Sequence, residues 1–385
     1  MDTSASFPGT PLPASATDET LAALTLSYMG PHWLAPLWQL HELVPSWADI
    51  VRHHHCIRSL VPQCPERLAQ ALACLDEPRR RAEEQLLWAG EAGVSVIDTS
   101  QARYPRRLLQ CPDAPLALFY KGRADLNARR IVSVVGTRRA TCYADDCLRR
   151  LLDDLRAMCS DVLVVSGLAY GVDIKAHRLA LDHGLMTVGV LAHGLDTLYP
   201  SRHRAEAARM VGQGGLLTEY GAHTHIDKVN FVRRNRIVAG MADATILVES
   251  ADKGGGLITC ALARGYGREV MAFPGNVGQP YSEGCNRLIR DAAAQLVTSG
   301  RDVAEALGWP TQPSAPLVAQ EARKASVAPE ALPVVEALRA QNDQHIDLIA
   351  SMAHLPVGQA TALLFRLEMD GVVAALSGGR YHLKE

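Results

Sequence analysis

The sequence predicts an α/β fold in which a doubly wound, mostly parallel sheet is flanked by an all-helical N-terminal region and a C-terminal winged helix. Between residues 94 and 309, short apolar runs such as IVSVV, VLVVSG and ATILVES alternate with helical patterns. Nearly continuous apolar strands are typical of a parallel sheet covered on both faces. On either side of this stretch, apolar residues recur at helical spacing instead.

The N-terminal part divides into two segments. Residues 1–16 are rich in Pro, Ser and Thr, and they are expected to form a disordered leader rather than a signal peptide. Residues 17–93 contain runs such as LAPLWQLHELV and ERLAQALACL, which predict a small all-helical domain of the SAM or helix-hairpin-helix type. The cluster His53-His54-His55-Cys56 does not predict a metal site, because adjacent helical residues point in different directions.

The C-terminal part follows the predicted sheet domain of residues 94–309. Residues 310–328, rich in Pro, Ser and Ala, are expected to be a linker. In residues 329–385, three short helical patterns and a Gly-Gly turn before a final strand predict a winged-helix domain.

Composition restricts the possible functions. The formal net charge of −2 means that any binding to a polyanion must use a local basic patch. A stretch of around 18 apolar residues is missing, so membrane insertion is not expected. Nine cysteines without a C-x-x-C pair indicate reduced thiols and a cytoplasmic protein.

Positive charge gathers where a parallel sheet binds ligands, at the carboxyl ends of its strands. The stretch KVNFVRRNR places several cations beside the aromatic ring of Phe231. The cations near predicted strand ends or helix starts are Arg138, Lys228, Arg234 and Arg236. Arginine matches phosphate oxygens and a ring can stack on a base, so this pattern predicts a sugar-phosphate and base site. Alternatively, Arg234 or Arg236 is structural and pairs with Glu219 or Glu249.

Glycine-rich turns follow several of these strands in VVGTRRA, VVSGLAYGVD and KGGGLIT, where the backbone can approach a ligand closely. The fingerprints for NAD and for a P-loop are missing, as is a two-metal carboxylate cluster. Asp173 and His177 lie four residues apart and could form an acid–base pair. We favour the interpretation in which Asp173 caps a helix and His177 is a packed core residue.

The ordered motifs VGTRRA, SGLAYGVDIKAH, HGLDTLYP, FVRRNRIVAGMAD, GGGLIT, FPGN and SEGCNRLIRDAA resemble the DNA-processing protein A family (DprA/Smf) from about residue 104 to 306. The resemblance implies an extended Rossmann-like domain that binds single-stranded DNA. It also implies that the protein loads the RecA recombinase during natural transformation or recombination, and that it forms a homodimer through this domain.

The resemblance also implies the DNA-binding residues. They are Gly136, Thr137, Arg138, Ser166, Gly167, Lys228, Phe231, Arg234, Asn235, Arg236, Gly255 and Gly256. In this reading Arg138 and Lys228 bind phosphates, and Phe231 stacks on a base. The sequence departs from the family pattern in four places. Thr137 replaces a serine and keeps the hydroxyl, and Gly255 and Gly256 replace a Gly-Ser pair. Tyr170 stands where many members have a basic residue, and Val232 replaces a proline.

A nucleotide-phosphate hydrolase is the alternative, because the fold also resembles the lysine-decarboxylase-like hydrolases. Their motif ends in a catalytic glutamate, and Leu262 stands at that place here. We therefore expect a binding and loading protein, not an enzyme, with no cofactor or metal.

In the C-terminal tail, residues Pro356–Met369 would form the recognition helix of a winged helix that reads duplex DNA. A helix that enters a DNA groove should be basic, but Glu368 and Asp370 lie beside Arg366. The tail is therefore expected to make a protein contact or a weak DNA contact.

Overall fold

The computed structural model describes residues 17–309 and 327–384. The predicted leader and most of the predicted linker lie outside these residues, so the predicted domain boundaries stay predictions. The chain forms two compact units. The first contains the residues up to Arg139 together with Asp161–Val297, and the second contains Ala140–Ser160 together with the residues from Thr298 onward.

Six helices open the first unit. They are α1 (Asp18–Ser27), α2 (Leu34–Leu43), α3 (Trp47–Arg52), α4 (Ile57–Leu60), α5 (Glu66–Leu72) and α6 (Asp76–Ala92). Side-chain caps start two of them: the Thr17 hydroxyl accepts from the N–H of Thr20, and the Ser46 hydroxyl accepts from that of Asp49. The fully buried Trp47 anchors their core and donates its indole N–H to Thr99 Oγ1 at 2.7 Å.

Nine strands form one sheet in the first unit. They are β1 (Ser95–Asp98), β2 (Ala117–Gly122), β3 (Arg130–Val135), β4 (Val162–Ser166), β5 (Met186–Val190), β6 (Gly214–Thr218), β7 (Ala244–Leu247), β8 (Glu269–Ala272) and β9 (Gln295–Leu296). Their order is β1-β2-β6-β5-β4-β3-β7-β8-β9. The pairs β1–β2 and β2–β6 are antiparallel, and all other pairs in this sheet are parallel. The predicted mostly parallel sheet is confirmed.

Helices follow most of these strands. They are α7 (Arg106–Leu109), α8 (Cys142–Met158), α9 (Val172–Asp182), α10 (Arg204–Gln213), α11 (Lys228–Gly240), α12 (Gly255–Gly265), α13 (Glu283–Arg290) and α14 (Gly300–Ala306). Helix α9 packs on β4 and β5, α10 on β5 and β6, and α12 on β7 and β8. The chain runs outward from β3 through β4 and β5, then returns to place β7 on the other side of β3. A switch point therefore lies between β3 and β7, where open α/β sheets bind ligands.

The second unit ends in the predicted winged helix, which is confirmed. It contains α15 (Leu332–Ala340), α16 (Ile346–Met352) and α17 (Val357–Met369), with a three-stranded sheet of β10 (Gln344–His345), β11 (Val373–Leu376) and β12 (Arg380–Leu383). Gly378 and Gly379 join β11 to β12, and their φ angles of 78° and 70° explain why glycine stands at this turn. Strands β11 and β12 form the antiparallel wing.

Residues 17–309 and 327–384 contain no single helix suited to crossing a membrane; α16 and α17 have a suitable length and composition only together, with a bend of 105° between them. All nine cysteines are described, and none forms a disulfide. In the same residues, three or more His, Cys, Asp or Glu side chains do not group as a metal site would require.

Candidate nucleic-acid interface

The predicted site lies at the switch point, where the turns after β3, β4 and β7 interlock. The N–H of Thr137 donates to the Glu249 carbonyl at 2.8 Å, and the N–H of Val172 donates to the Thr137 carbonyl at 3.1 Å. These bonds tie the turn after β3 to the other two. The backbone at this edge of the sheet is therefore held in one arrangement.

Glycine is required in these turns by close packing. A Cβ atom on Gly136 would lie 2.6 Å from Cγ2 of Val172. On Gly171, whose φ is +79°, it would lie 2.1 Å from the Thr137 carbonyl oxygen. A Cβ on Gly256 would lie 2.7 Å from Cδ1 of Leu247, whereas one on Gly255 would have no described atom within 4 Å. Of the predicted glycines, Gly255 is thus the exposed one, in the first turn of α12.

The turn after β4 buries two of the predicted residues. Ser166 is fully buried, and its hydroxyl donates to the Val134 carbonyl at 2.6 Å. A Cβ on Gly167 would lie 2.4 Å from the Arg234 guanidinium. Both residues therefore support the turn from the interior of the domain, and the Ser166 hydroxyl binds a backbone carbonyl there.

Arg234 is buried beneath this turn, with only 4% of its surface exposed. Its guanidinium donates to the carbonyls of Gly167 and Val190, and its Nε donates to Oδ1 of Asn235 at 3.2 Å. Burial lowers the pKa of Arg234, and the nearby carboxylate of Asp173 opposes that shift. Arg234 thus fastens α11 to the ends of β4 and β5.

Arg236 is also held inside the first unit. Its guanidinium pairs with the carboxylate of Glu219 and donates to the Asp113 carbonyl. Burial disfavours the charged form of Arg236, but the carboxylates of Glu219 and Asp113 outweigh it and raise its pKa. Of the alternatives that the sequence left open, the pairing of Arg236 with Glu219 is the one the structure has.

The first turn of α11 presents its side chains outward. Asp227 caps the helix by accepting the N–H of Val229 at 3.0 Å, so that Lys228 is the first helical residue. Lys228 is exposed and Phe231 is half-buried. Residues three apart share one face of a helix, so the ammonium group and the ring lie on the same side.

Arg138 reaches the same place from the turn after β3. Its side chain is exposed, and its guanidinium carbon lies 5.9 Å from the centre of the Phe231 ring. This geometry is a cation–π contact. Beside Arg138, the half-buried hydroxyl of Thr137 accepts the N–H of Arg139 at 3.1 Å. The structure therefore places the Arg138 guanidinium beside the Phe231 ring, and Lys228 lies on the same face of α11 about one turn before that ring.

Asp173 and His177 do not form an acid–base pair. His177 is fully buried, and its Nδ1 lies 2.6 Å from Oγ1 of Thr187. Burial, then the charges of Arg234 and His203, lower its pKa to about 3, so the imidazole is neutral at ordinary pH. The predicted core role of His177 is confirmed.

The predicted capping role of Asp173 is wrong. Gly171 is the N-cap of α9, and a side-chain cap bond is not formed there. The Asp173 carboxylate instead accepts the N–H of Ala169 in the preceding turn at 3.3 Å. Burial raises the pKa of Asp173. The charge of Arg234 and hydrogen bonds from Ala169, Ser166 and Gly167 oppose this shift.

Two further aromatic residues at this edge were not predicted as part of the site. Tyr199 contacts Phe231 edge to face, with ring centres 5.7 Å apart, and Tyr170 contacts His203 in the same way at 4.9 Å. Tyr199 belongs to the motif HGLDTLYP, but the spacing of residues in this motif does not indicate whether the Tyr199 ring is exposed or buried. His203 carried no sequence signal at all.

Comparison with known proteins identifies the family. Residues 95–308 match the family model of DNA recombination-mediator protein A, and residues 318–379 match that of the DprA winged helix domain. Protein Smf of Escherichia coli (strain K12) is 33% identical over 344 residues, which cover 87% of this chain and 90% of that protein.

Two solved structures are similar. DNA processing protein A (DprA) from Streptococcus pneumoniae has a TM-score of 0.63 and 30% identity, covering 75% of this chain and 98% of its own. DNA processing protein A from Helicobacter pylori, whose structure describes its single-stranded DNA binding mode, has a TM-score of 0.50 and 26% identity. The match covers 56% of this chain and 95% of the Helicobacter pylori chain. The chain therefore belongs to the DNA recombination-mediator protein A (DprA/Smf) family.

Proposed function

We propose that this member of the family binds single-stranded DNA at the switch point of its sheet. The observation that carries the proposal is the surface group of Arg138, Lys228 and Phe231. Two cations from separate elements flank one aromatic ring, and the Arg138 guanidinium lies 5.9 Å from its centre. Cations that track a phosphate backbone, with a ring between them for a base, are the usual means of binding single strands.

Single strands fit this surface better than a duplex. A ring can stack only on a base that has left the helical stack, and duplex bases are already stacked and paired. The net charge of the chain is only −2, so binding depends on this local group rather than on overall charge. We therefore expect binding that is sensitive to salt and tolerant of sequence.

The other residues of the predicted set have supporting roles in this proposal. Arg234 and Arg236 are occupied by backbone carbonyls and by Glu219, which suits them to position α11 rather than to bind phosphates. Gly136, Thr137, Ser166, Gly167 and Gly256 shape the interlocked turns, and Asn235 in α11 accepts a hydrogen bond from Arg234. Gly255 leaves room for a phosphate at the start of α12.

The decisive experiment compares single-stranded with blunt duplex DNA of the same length by fluorescence anisotropy. Arg138→Ala should weaken binding of the single strand. Arg129→Ala is the matched control, because Arg129 is also exposed but precedes β3 at the opposite edge of the sheet. Equal affinity for duplex and single strand, or equal loss in both variants, would refute a site at this edge.

Loading of RecA and formation of a homodimer through the sheet domain also belong to the proposal. Family membership supports both, and a protein that holds single-stranded DNA is suited to delivering it to a recombinase. Nucleation of RecA on DNA already coated with single-strand-binding protein should be faster when this protein is added. Light scattering during gel filtration should give twice the chain mass. Unchanged nucleation of RecA would contradict the proposed loading, and a monomer mass would contradict the proposed homodimer.

We propose a binding protein rather than an enzyme, and the hydrolase is the second candidate. Leu262 takes the place of the catalytic glutamate in the related hydrolases, and no other carboxylate is assigned that role here. Incubation with nucleoside monophosphates should release neither base nor phosphate. Robust turnover that disappears together with DNA binding in Arg138→Ala would favour the hydrolase.

A further inference from the structure

Two exposed tyrosines flank the proposed site. Tyr170, in the turn after β4, is 43% exposed, and Tyr199, in the loop after β5, is 47% exposed. Strands β4 and β5 are adjacent and parallel, so both residues lie at the same edge of the sheet. A single exposed ring needs no explanation, but here two exposed rings lie at one ligand-binding edge, and the Tyr199 ring contacts Phe231.

The turn that carries Tyr170 is fixed from below. Arg234 donates to the carbonyl of Gly167, and Nδ1 of His203 lies 2.9 Å from the carbonyl of Leu168. The His203 ring also contacts the Tyr170 ring, with centres 4.9 Å apart and planes 73° apart. Leu168 is fully buried at φ 55°, a conformation that only a well-packed turn holds. Tyr170 is therefore presented on a rigid support.

Tyr199 is fixed at its backbone and at its ring. Its N–H donates to Nε2 of His193 at 3.1 Å, and His193 is 1% exposed. Its ring meets the Phe231 ring with planes 68° apart. Almost half of the surface of Tyr199 is nevertheless exposed. An ordered ring that stays exposed is already arranged for stacking, so little conformational entropy is lost on binding.

Arg138 lies beside the Phe231 ring and against the turn that carries Tyr170. Phe231 lies beneath its guanidinium, and Tyr199 touches Phe231. Tyr170 precedes Gly171, and a Cβ on Gly171 would lie 2.7 Å from the Cα of Arg138. The turn that carries Tyr170 is thus packed directly against the backbone of Arg138. A strand whose phosphate binds Arg138 would bring its neighbouring bases over these rings.

We propose that Tyr170 and Tyr199 are further stacking positions for unpaired bases, so that the site holds several consecutive nucleotides around Arg138. This inference rests on the proposed function, because it concerns the same strand of DNA. Stacking on aromatic side chains accepts every base, since each has a π-face. The tyrosines therefore extend the length of strand that is bound without adding sequence preference.

The test uses the full chain and labelled oligothymidylate. Tyr170→Leu and Tyr199→Leu should each weaken binding roughly 5- to 150-fold, as expected for one lost base–ring stack. Tyr170→Phe and Tyr199→Phe keep the ring and should restore affinity to within roughly 3-fold. The salt dependence should stay that of the wild type, because no phosphate contact is removed.

An abasic oligonucleotide of the same length separates stacking from a structural effect. It keeps the phosphates and lacks the bases, so the leucine variants and the wild type should bind it equally. An equal loss on both oligonucleotides, or a loss in the phenylalanine variants, would overturn the inference. If Arg138→Ala weakens binding but the leucine variants do not, this inference fails while the proposed function stands. If the wild type does not bind the strand, the proposed function itself fails.

Discussion

Both halves of α11 carry cationic residues, but those of the first half are exposed and those of the second half are largely buried. In the first turn, Lys228 and Phe231 face outward beside Arg138. One turn later, Arg234 and Arg236 are directed inward to backbone carbonyls and to Glu219. The helix thus changes from an exposed surface to a buried scaffold within two turns. The charge of an arginine therefore does not show its role; its partners do.

The largest expected effect is on folding, at the buried half. Arg236→Ala leaves the carboxylate of Glu219 buried without its partner, and the pair is only 12% and 18% exposed. Loss of one member of a buried ion pair costs about 3–5 kcal/mol in the free energy of unfolding. Urea denaturation followed by circular dichroism measures it.

Arg366→Ala is the matched control for Arg236→Ala. Arg366 pairs with Glu330 at 2.6 Å, but those side chains are 69% and 59% exposed. An exposed ion pair contributes about 1 kcal/mol at most. If the two variants lose the same stability, then Arg236 is not a structural residue and the contrast within α11 is wrong.

The next effect is on binding, at the exposed half. Phe231→Ala removes the ring on which a base is proposed to stack, and it should cost about 1–3 kcal/mol of affinity for single-stranded DNA. Its salt dependence should match that of the wild type, because the phosphate contacts remain. Anisotropy titrations at several salt concentrations measure both. A changed slope would show that Phe231 acts by positioning Arg138 or Lys228.

A smaller effect is expected from a buried charge in the second unit. His382 lies between two carboxylates, with Nε2 at 2.9 Å from Asp146 and Nδ1 at 2.8 Å from Asp343. The hydrogen bond to Asp146 raises the pKa of His382; burial opposes it, and the bond to Asp343 adds to it. The protonated imidazole can donate from both nitrogens.

The pH dependence follows from the raised pKa. The stabilisation is complete below the unfolded-state pKa of about 6.5 and is lost as pH rises through the higher folded-state pKa. The stability of Asp146→Asn should therefore fall furthest below that of the wild type in mildly acidic solution. The difference should shrink as the pH rises through the folded-state pKa of His382. A difference that grows with pH would contradict the role given to His382.

The fold was largely predictable because its signals are local. Eight of the nine strands of the large sheet coincide with apolar runs, and Gly378 and Gly379 mark the wing turn. The exception is β9, with only two residues, Gln295 and Leu296, both exposed. Such a strand exists through pairing with β8, and it leaves no apolar pattern in the sequence.

The site was predictable only in part, because partners distant in sequence decide it. The sequence grouped Arg234 and Arg236 with Arg138 and Lys228 as one basic set, since all four lie near strand ends. Burial of Arg234 depends on the carbonyl of Val190, 44 residues away. Likewise the Tyr199 ring lies beside Phe231 only because the loop after β5 meets α11. Contacts between residues distant in sequence form as the chain folds, so the spacing of residues in the sequence does not show them.

The most direct measurement compares the salt dependence of single-stranded DNA binding in Lys228→Ala and Arg236→Lys. The first removes an exposed charge; the second keeps a charge at the buried position. Lys228→Ala should lower the slope of log affinity against log salt by about 0.7, one phosphate contact on a single strand, and leave stability unchanged. Arg236→Lys should lose stability and keep the wild-type slope. The opposite pattern, a lower slope only in Arg236→Lys, would show that the buried half of α11 binds the DNA.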